Sequence, residues 1–580
     1  MTATAPLPMD LSHHYSYTTK NRLASFVKSY YKYYAIPGLA NFAGGLPHLS
    51  YFPYDTLEAN IARPNRLQPE SSGDSKSERL VVPKQSQATD LQHRIDLNTA
   101  LQYGTAEGYP PLLSFLRQFT RDHLHPNVPY AEGPDVVLSC GNTDGFSKAI
   151  ELLTNIWNPD RDWIQQREGV LCEQFAYMNA IQTVKPRGLN VVGVAMDAQG
   201  MCASGEGGLA DVLESWDFRR GRRPHVMYTV TMGQNPTGGV LQIERKKEIY
   251  ALCQKYDVII VEDEPYWNLQ FPSAYEMEAQ ARGLSIPSPR INNLNHTSSG
   301  YPFLDALAPS YLSIDTEGRV IRLDTFSKTI APGSRLGWIT AQPAIIERLT
   351  RITECSTQQP SGFVQSIVAE MLMGKQAGET KARASKLQDS RGWQMDGWVR
   401  WLEGLRAGYE KRMQSMCTIL EANKFFVSEK SEISSKSAGH VDGWEVVDRV
   451  QMFEFVWPKA GMFTWIEVYF ESHPLVSQYG AQRLSKAFWV HLTQKPVLCL
   501  VGPGSMFAAS PESAEQAYKY FRVSFAPMNA DDVAHFTQRL VDGIRSFWQR
   551  NSLDGLENDE TLEMQMLQMG PGVNLLGSGC

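Results

Sequence analysis

Apolar residues are concentrated in short runs in the middle of the chain. The runs "HVMYTV" (225–230), "VIIVED" (258–263) and "RVIRLD" (319–324) are rich in β-branched residues. The first two are almost continuously apolar, which is typical of strands that are buried on both faces of a parallel sheet. The pattern therefore predicts three buried strands, and polar residues follow each of them.

A helical period separates the first two predicted strands. In the segment "IERKKEIYALCQKYD", Ile249, Leu252, Cys253 and Tyr256 recur at the spacing of one helix face. A strand, a helix and a second strand at this spacing form a βαβ unit. The centre of the chain is therefore predicted to be an α/β domain with a mostly parallel sheet.

Three stretches show neither the apolar runs of strands nor the helical period. Residues 64–95 are polar, and residues 272–316 contain "SIPSPRINNLNHTSSGYP". Both predict loop-rich insertions, of which the first is expected to be flexible. The chain ends in "GPGVNLLGSGC", which predicts a weakly structured tail.

Composition narrows the class of protein. Of the 580 residues, 42% are hydrophobic and 20% are charged, and the formal net charge is −7. This is typical of a soluble chain of two or more domains, and it gives no reason to expect nucleic acid or a membrane surface as a partner. No apolar run reaches the ~18 residues that cross a bilayer. The first residues show no signal-peptide pattern, so we expect a cytoplasmic protein. The eight cysteines form no CxxC pair, so we expect no metal site.

Polar groups follow each predicted strand. Asn235 lies in "TMGQNPTGG" after the first run, Asp263 ends the second and precedes Tyr266, and Lys328 lies in "DTFSKTIAPGSRLGW" after the third. Since ligands bind at the carboxyl ends of the strands in such sheets, these side chains are expected to converge. Taken singly, an Asn-Pro turn, a helix-capping Asp and a solvated lysine are the more common interpretations. Their joint placement at three strand ends favours an active site.

This order of motifs resembles that of the fold-type-I pyridoxal-phosphate (PLP) aminotransferases of class I/II. The chain is most similar to the branch that holds fungal aromatic-amino-acid and kynurenine/2-aminoadipate aminotransferases, from about residue 41 to about residue 545. The resemblance implies a PLP-transferase type I fold: a large domain with a mostly parallel, seven-stranded type of sheet flanked by helices, and a smaller α+β domain.

The same resemblance divides the chain into four parts. These are an N-terminal arm with part of the small domain (1–100, with the flexible insertion at about 64–95), a large PLP-binding domain (101–365), the C-terminal part of the small domain (366–550) and a tail (551–580). The insertions have no counterpart in compact members of the family. We favour surface decoration over a role at the substrate entrance.

The resemblance also assigns the expected catalytic residues Lys328, Asp263 and Tyr266. Lys328 would form a Schiff base with the cofactor and move a proton during the reaction. Asp263 would face the pyridine nitrogen and keep it protonated. Asn235 and Tyr266 would donate hydrogen bonds to the phenolic oxygen of the ring.

The phosphate of the cofactor requires hydrogen-bond donors. The segment "VVLSCGNTDGFSKAIELL" predicts a strand, a glycine turn and a helix, with Asn142 and Thr143 at the helix N-terminus, where an anion is favoured. A glycine-rich turn also starts a helix without any ligand, so this signal is weak by itself. The family's hydroxyl–amide pair at this turn is replaced by Asn142 and Thr143, so one phosphate contact is expected to differ. The remaining phosphate contacts that the resemblance implies are Thr325, Ser327 and Arg335.

Two tyrosines complete the expected cofactor site. Tyr177, in "CEQFAYMNA", matches the aromatic residue that stacks on the ring, and Tyr103, in "LQYGTAEGYP", matches a tyrosine that reaches the phosphate of a neighbouring subunit. The second correspondence implies a homodimer with shared active sites.

The substrate residues are also implied by resemblance. Arg522, in "YFRVSFA", matches the arginine that binds the substrate's α-carboxylate, with Asn235 beside it. Gly45 lies in "NFAGGLPHLSYFP", which matches a substrate loop where glycine allows close backbone approach. Phe463, in "KAGMFTWIEV", is expected to touch the substrate side chain.

We therefore expect an enzyme that moves the amino group of an aromatic L-amino acid (Phe, Tyr or Trp) to a 2-oxo acid, with 2-oxoglutarate as the expected acceptor, by a ping-pong mechanism. The alternatives are a kynurenine or 2-aminoadipate aminotransferase and a PLP-dependent lyase or decarboxylase. A non-catalytic regulator with this fold normally has an N-terminal winged helix, and about 40 residues before the first motif are too few for one.

Overall fold

The computed structural model describes residues 5–25, 33, 36–40, 42–43, 45–67, 77–285, 297–374, 392–428 and 448–556. Its strands are β1 (Thr56–Ile61), β2 (Glu78–Pro83), β3 (Asp135–Ser139), β4 (Gly169–Glu173), β5 (Asn190–Val194), β6 (Met196–Asp197), β7 (Gly200–Met201), β8 (Val226–Thr229), β9 (Ile259–Asp263), β10 (Val320–Thr325), β11 (Gly337–Ala341), β12 (Phe425–Ser428), β13 (Asp448–Gln451), β14 (Phe453–Phe455), β15 (Phe463–Val468), β16 (Gly502–Pro503) and β17 (Tyr520–Ser524).

Its α-helices are α1 (Tyr17–Asn21), α2 (Leu97–Leu101), α3 (Pro110–Gln118), α4 (Asn142–Leu153), α5 (Met178–Val184), α6 (Leu209–Glu214), α7 (Ile243–Tyr256), α8 (Ala274–Arg282), α9 (Pro302–Asp305), α10 (Pro343–Glu354), α11 (Gly362–Met373), α12 (Gln394–Ala422), α13 (Val476–Tyr479), α14 (Ala481–Thr493), α15 (Pro511–Gln516) and α16 (Val533–Trp548). Among the described helices, none is long and apolar enough to span a bilayer.

A seven-stranded sheet in the order β3-β11-β10-β9-β8-β4-β5 forms the large body of the molecule. Its strands are parallel except β11, which runs antiparallel to β10 and to β3. In β9, Ile259 and Val261 belong to one hydrophobic core and Ile260 to another, so both faces of the sheet are covered. The predicted mostly parallel, seven-stranded α/β sheet is confirmed.

The predicted βαβ unit is β8, α7 and β9. Ile249 and Cys253 of α7 are buried, and Leu252 and Tyr256 are half-buried, as the helical period predicted. The helix ends at Asp257, which adopts a left-handed conformation with φ of 54°. The chain then turns directly into β9, whose last residue is Asp263.

A second, smaller sheet in the order β14-β15-β17-β16 is antiparallel. Helices α14 and α16 pack together beside it, and the 29-residue helix α12 packs along α16. The alternating burial of β17 places Phe521 and Val523 in the core and leaves Arg522 between them half-buried on the other face. The smaller α+β part expected from the sequence is therefore present.

Both expected insertions contain regular structure. Residues 64–95 include β2, which pairs with β1, and Leu80 and Val82 of β2 are fully buried. The prediction of a flexible loop was wrong for this strand, because a two-residue alternation is hard to recognise inside a polar stretch. Residues 272–316 include α8 and α9, so they are only partly loop.

The seven strands of the large sheet lie between residues 135 and 341, and those of the smaller sheet between 453 and 524. Both sets fall inside the predicted domains, whose boundaries stay predictions. The predicted tail at 551–580 lies outside the described residues from residue 557 onwards.

The first residues of the chain lie across the large body. Leu11 and Tyr15 are buried in its core, and the backbone N–H of Met9 donates to the carbonyl of Glu317 at 2.9 Å. Ser16 caps α1, and its backbone N–H donates to the carbonyl of Leu152 at the end of α4. We call residues 5–16 the N-terminal strap.

Candidate active site

A cavity of about 400 Å³ opens at the carboxyl ends of β8, β9 and β10. It lies where the parallel sheet is expected to bind a ligand. The residues around it include ten that the sequence predicts as site residues, from five separate segments of the chain. They are Asn142, Thr143, Tyr177, Asn235, Asp263, Tyr266, Thr325, Ser327, Lys328 and Arg335.

Asp263 is the last residue of β9 and is buried. Its carboxylate accepts hydrogen bonds from Asn142 Nδ2 at 2.6 Å and from the Tyr228 hydroxyl at 2.7 Å. Burial raises the pKa of Asp263 to about 6, although the bonds from Tyr228 and Asn142 oppose that shift. Within the described part of the chain, Asp263 forms no ion pair. The site thus holds a buried carboxylate whose donors are both neutral.

Asn142 begins helix α4, at the helix N-terminus where the sequence predicts it. Its side-chain Nδ2 donates to the Asp263 carboxylate and to the carbonyl of Leu323. The backbone N–H groups of the first turn of α4 remain available to an anion, as at any helix N-terminus. The expected difference in one phosphate contact stays a prediction, and Thr143 lies exposed at the same turn.

Arg335 lies beside that helix N-terminus. Its guanidinium donates to the carbonyl of Cys140 at 3.2 Å and to Ser327 Oγ at 3.3 Å. Gly141, before the helix, has φ of 92°, and a Cβ there would lie 2.4 Å from the Arg335 guanidinium. Only glycine fits this position, because any side chain would need a rare backbone conformation and would displace the arginine.

Two hydroxyl groups lie beside Arg335, and we call these hydroxyls, Arg335 and the N-terminus of α4 the anion corner. Thr325 Oγ1 lies 2.9 Å from Ser327 Oγ and accepts from the Ser327 backbone N–H at 3.1 Å. Lys328 follows in the short 3-10 turn Phe326–Lys328. A cation, two hydroxyls and a helix N-terminus together form a site for a phosphate-sized anion.

Two residues of the smaller sheet, Arg522 and Phe463, lie next to the cavity and contact Asn235 and Tyr266, which line it. Arg522 of β17 donates to Asn235 Oδ1 at 2.9 Å, and its guanidinium lies 4.4 Å from the centre of the Phe463 ring. The Phe463 ring meets the Tyr266 ring edge-on at 5.8 Å. Burial raises the pKa of Tyr266, so the phenol is protonated at neutral pH and can donate a hydrogen bond.

Two predicted residues lie elsewhere. Tyr103 is 60% exposed and Gly45 is exposed, and neither borders the cavity. The expected reach of Tyr103 into a neighbouring subunit stays a prediction.

Sequence reasoning missed Tyr228, which lies in the run "HVMYTV" and was counted only as a strand residue. A tyrosine inside a fully buried strand was the available signal, since a buried hydroxyl normally requires a partner. It also missed the buried ionic network below the site. Arg322 pairs with Glu262 at 3.1 Å and with Asp324 at 2.9 Å, and Lys246 lies 3.6 Å from Glu262.

The donor set fits a planar, phosphorylated heterocycle that carries a proton on a ring nitrogen. Among the described residues, the buried Asp263 carboxylate has no cation as an ion-pair partner, and Asn142 Oδ1 beside it is buried without a hydrogen bond. A protonated nitrogen would satisfy the carboxylate, and Arg335 lies at the anion corner. Tyr177, Ala180 and Val230 give the cavity apolar walls.

Comparison with known proteins adds independent information. Over residues 71–393 the sequence matches the family model described as aminotransferase class I and II. It is 34% identical to an aromatic amino acid aminotransferase of Schizosaccharomyces pombe, over 80% of this chain and 83% of that protein. It is 31% identical to an L-tyrosine:2-oxoglutarate aminotransferase of Tapinella panuoides, over 81% of this chain and 76% of that protein. Among solved structures, an aminotransferase of Candida albicans matches with a TM-score of 0.72 and 29% identity, over 94% of this chain and 100% of that chain.

Proposed function

This chain belongs to the class I and II aminotransferases, and on that premise we propose that it transfers the amino group of an aromatic L-amino acid to a 2-oxo acid, with 2-oxoglutarate as acceptor and PLP as cofactor. The observation that carries the proposal is the cavity lined by ten predicted residues, one of which, Asp263, is a buried carboxylate that forms no ion pair with any described residue. The similarity to an aromatic amino acid aminotransferase of Schizosaccharomyces pombe and to an L-tyrosine:2-oxoglutarate aminotransferase of Tapinella panuoides supports the aromatic donor and the 2-oxoglutarate acceptor.

The cofactor would be held at both ends. Arg335, Thr325, Ser327 and the first turn of α4 supply charge and donors for its phosphate. Asp263 supplies the negative charge for its ring nitrogen, and Asn235 and Tyr266 supply donors for its phenolic oxygen. When bound, PLP acts as a sink for the electrons that are released at the substrate Cα.

The residues of the chain then perform the acid–base work. Lys328 Nζ removes the proton from the substrate Cα and returns a proton to the reacting group, which is general acid–base catalysis by one amine. With its carboxylate ionised, Asp263 would favour the protonated form of the ring nitrogen.

The substrate would be oriented by its carboxylate. Arg522 presents a planar guanidinium that suits a bidentate pair with the α-carboxylate, and Asn235 already holds one edge of it. Phe463 offers an aromatic face beside the same guanidinium. An aromatic side chain would gain most from such a wall, because ring pairs are stabilised beyond simple burial.

A homodimer belongs to the same proposal. Phe42 and Tyr103 are 96% and 60% exposed, and large apolar side chains at this exposure suit a covered surface. Gly45, near Phe42 in the chain, would lie in the substrate loop. The cytoplasmic location expected from the sequence stays a prediction.

The test is an amino-donor panel. The purified protein is incubated with 2-oxoglutarate and each of Phe, Tyr, Trp, kynurenine, 2-aminoadipate and Ala, and glutamate formation is measured. We expect the highest kcat/KM for the aromatic donors. Activity confined to kynurenine or 2-aminoadipate would replace the proposed substrate, and release of CO₂ without glutamate would indicate a decarboxylase.

A pair of lysine variants assigns the base. Lys328→Ala is expected to lower kcat by at least about 10²-fold, because the general base is lost. Lys255→Ala is the control, since Lys255 lies on the surface and pairs with the exposed Glu214. Full turnover by Lys328→Ala would refute the assigned role.

A further inference from the structure

Two histidines of the N-terminal strap meet the end of helix α7. His13 and His14 lie in the 3-10 turn Ser12–His14, and the strap is anchored on either side of them by the buried Leu11 and Tyr15. They face Asp257, the left-handed residue at which α7 ends. The contact joins segments that are 244 and 243 residues apart in the chain.

The three side chains converge on one point. His13 Nε2 lies 2.6 Å from Asp257 Oδ2, and His14 Nε2 lies 3.0 Å from Asp257 Oδ1. One ligand atom from each residue lies within 4.8 Å of the other two. The side chain of His14 is 4% exposed, whereas those of His13 and Asp257 are 56% and 50% exposed, so the cluster is open to solvent on one side.

We propose that His13, His14 and Asp257 form a binding site for one divalent transition-metal ion of the Zn²⁺ type. Two imidazoles and one carboxylate are a donor set that such ions prefer, and water can complete a tetrahedral shell on the open side. The sequence predicts no metal site because the cysteines form no CxxC pair. That criterion does not detect a site that is built from histidine and aspartate. It joins the strap to α7, so the ion would stabilise the strap on the large body.

The ligand atoms of His13 and Asp257 would have to move slightly apart to bind a metal ion. Ligand atoms of a tetrahedral zinc site with bonds of about 2.0–2.1 Å lie roughly 3.3 Å apart. The His13–Asp257 contact is shorter than this, and the exposed His13 ring can move outward. The His14 ring is fixed from behind, since the His225 ring stacks on it at 5.3 Å. His225 itself is turned away, with its Nε2 3.2 Å from the carbonyl oxygen of Leu153.

One cation lies on the inner side of the cluster. Arg319 Nη1 is 3.5 Å from Asp257 Oδ1. Its charge is largely balanced by Glu317, to which Arg319 Nε donates at 2.7 Å, and Nη1 also donates to the carbonyl of Val258. Because Arg319 is buried, an ion would approach from the opposite, solvent-facing side, where His13 and Asp257 are accessible.

The chain offers a matched control. His93 Nδ1 lies 2.7 Å from Asp90 Oδ2, on the surface and three residues apart. This pair has the same histidine–carboxylate contact, but it is not part of a three-residue cluster within the described residues. If metal binding requires two histidines, the His93–Asp90 pair should not bind the ion.

The test uses holoenzyme without a polyhistidine tag, freed of metal by a chelator. It is titrated with Co²⁺, the d–d absorbance is recorded, and Zn²⁺ is added as competitor. We expect one Co²⁺ per chain, displaced by Zn²⁺, and at least about tenfold weaker binding in His13→Ala and in Asp257→Asn. Asn is chosen because it tolerates the left-handed backbone. His93→Ala should bind as the parent does.

A second readout reports on the strap. Zn²⁺ should slow trypsin cleavage after the exposed Lys20 in the parent but not in His13→Ala. Absence of Co²⁺ binding in the parent, or equal binding by His13→Ala, Asp257→Asn and the parent, would overturn the proposal. His13 is exposed, so its variant keeps the fold, and near-UV circular dichroism checks this directly.

Discussion

Two neighbouring residues of β9, Glu262 and Asp263, show how one strand can build both a structural and a chemical site. Both are buried, and they point to opposite faces of the sheet. Burial would raise the pKa of Glu262, but Arg322 and Lys246 outweigh it and hold that pKa below its usual value. Burial raises the pKa of Asp263 to about 6, because its partners Tyr228 and Asn142 are neutral.

The difference lies in where the compensating positive charge comes from. Glu262 receives it from the protein, so the ion pair is complete and stabilises the fold. Asp263 receives none from within hydrogen-bonding distance, which prepares it for a cation supplied by a ligand. A buried carboxylate is therefore informative about function only after its partners are known.

The largest effect is expected from Asp263→Asn. Without the negative charge, the ring nitrogen of the cofactor loses its protonated state, and kcat should fall by about 10³-fold, the upper range for one electrostatic group. Stability should change little, since Asn keeps the shape and removes a buried charge. The measurements are kcat with Phe as donor and Tm; retained activity would contradict the assignment of Asp263.

Replacing the neighbouring residue Glu262 should lower stability, whereas replacing Asp263 should lower activity. Glu262→Gln is expected to destabilise the protein by about 3 kcal/mol, because the buried Lys246 and Arg322 would both lose the charge of Glu262 and only Arg322 would keep an ion pair, with Asp324. The control is Glu58→Gln, which removes an exposed pair with Arg79 and should cost less than about 1 kcal/mol. Denaturant unfolding measures both, and equal costs would contradict the distinction between the two faces of β9.

The comparison also predicts a pH dependence. Asp263 is ionised above its pKa of about 6 and can then pair with a cation. As the pH falls below that value the carboxyl takes up a proton, and PLP affinity of the apoprotein should weaken by about tenfold per pH unit. Titration of the apoprotein with PLP at several pH values checks this. Asp263→Asn is the control. In this variant PLP itself still titrates, but the part of the pH dependence that is caused by the Asp263 carboxyl should be absent.

The smallest effect is expected from Tyr228→Phe. Losing one hydrogen bond to a charged group costs about 1.5 kcal/mol, so the pKa of Asp263 should rise by roughly one unit. The midpoint of the pH profile of PLP binding should rise with it, whereas a purely structural tyrosine would lower Tm without moving the midpoint. An unchanged midpoint would show that Tyr228 does not tune the carboxylate.

Much of the fold followed from local pattern. The runs at 225–230 and 258–263 are strands, the helix between them has the predicted face, and Asn235, Asp263 and Lys328 lie together at the carboxyl edge. Strand β2 was missed because its two buried residues, Leu80 and Val82, are surrounded by polar sequence. A short strand that is buried on one face has a weaker signal than one buried on both.

The sequence by itself indicated the family, the strand–helix–strand unit between residues 225 and 263 and the identity of the reactive groups, because periodicity and motif spacing are local properties of the chain. Only the tertiary structure decided which groups face each other. Asn142 and Tyr228 reach Asp263 across 121 and 35 residues, and His13 reaches Asp257 across 244. Such contacts depend on how strands and helices pack, and periodicity reports which face is buried but not what lies opposite it.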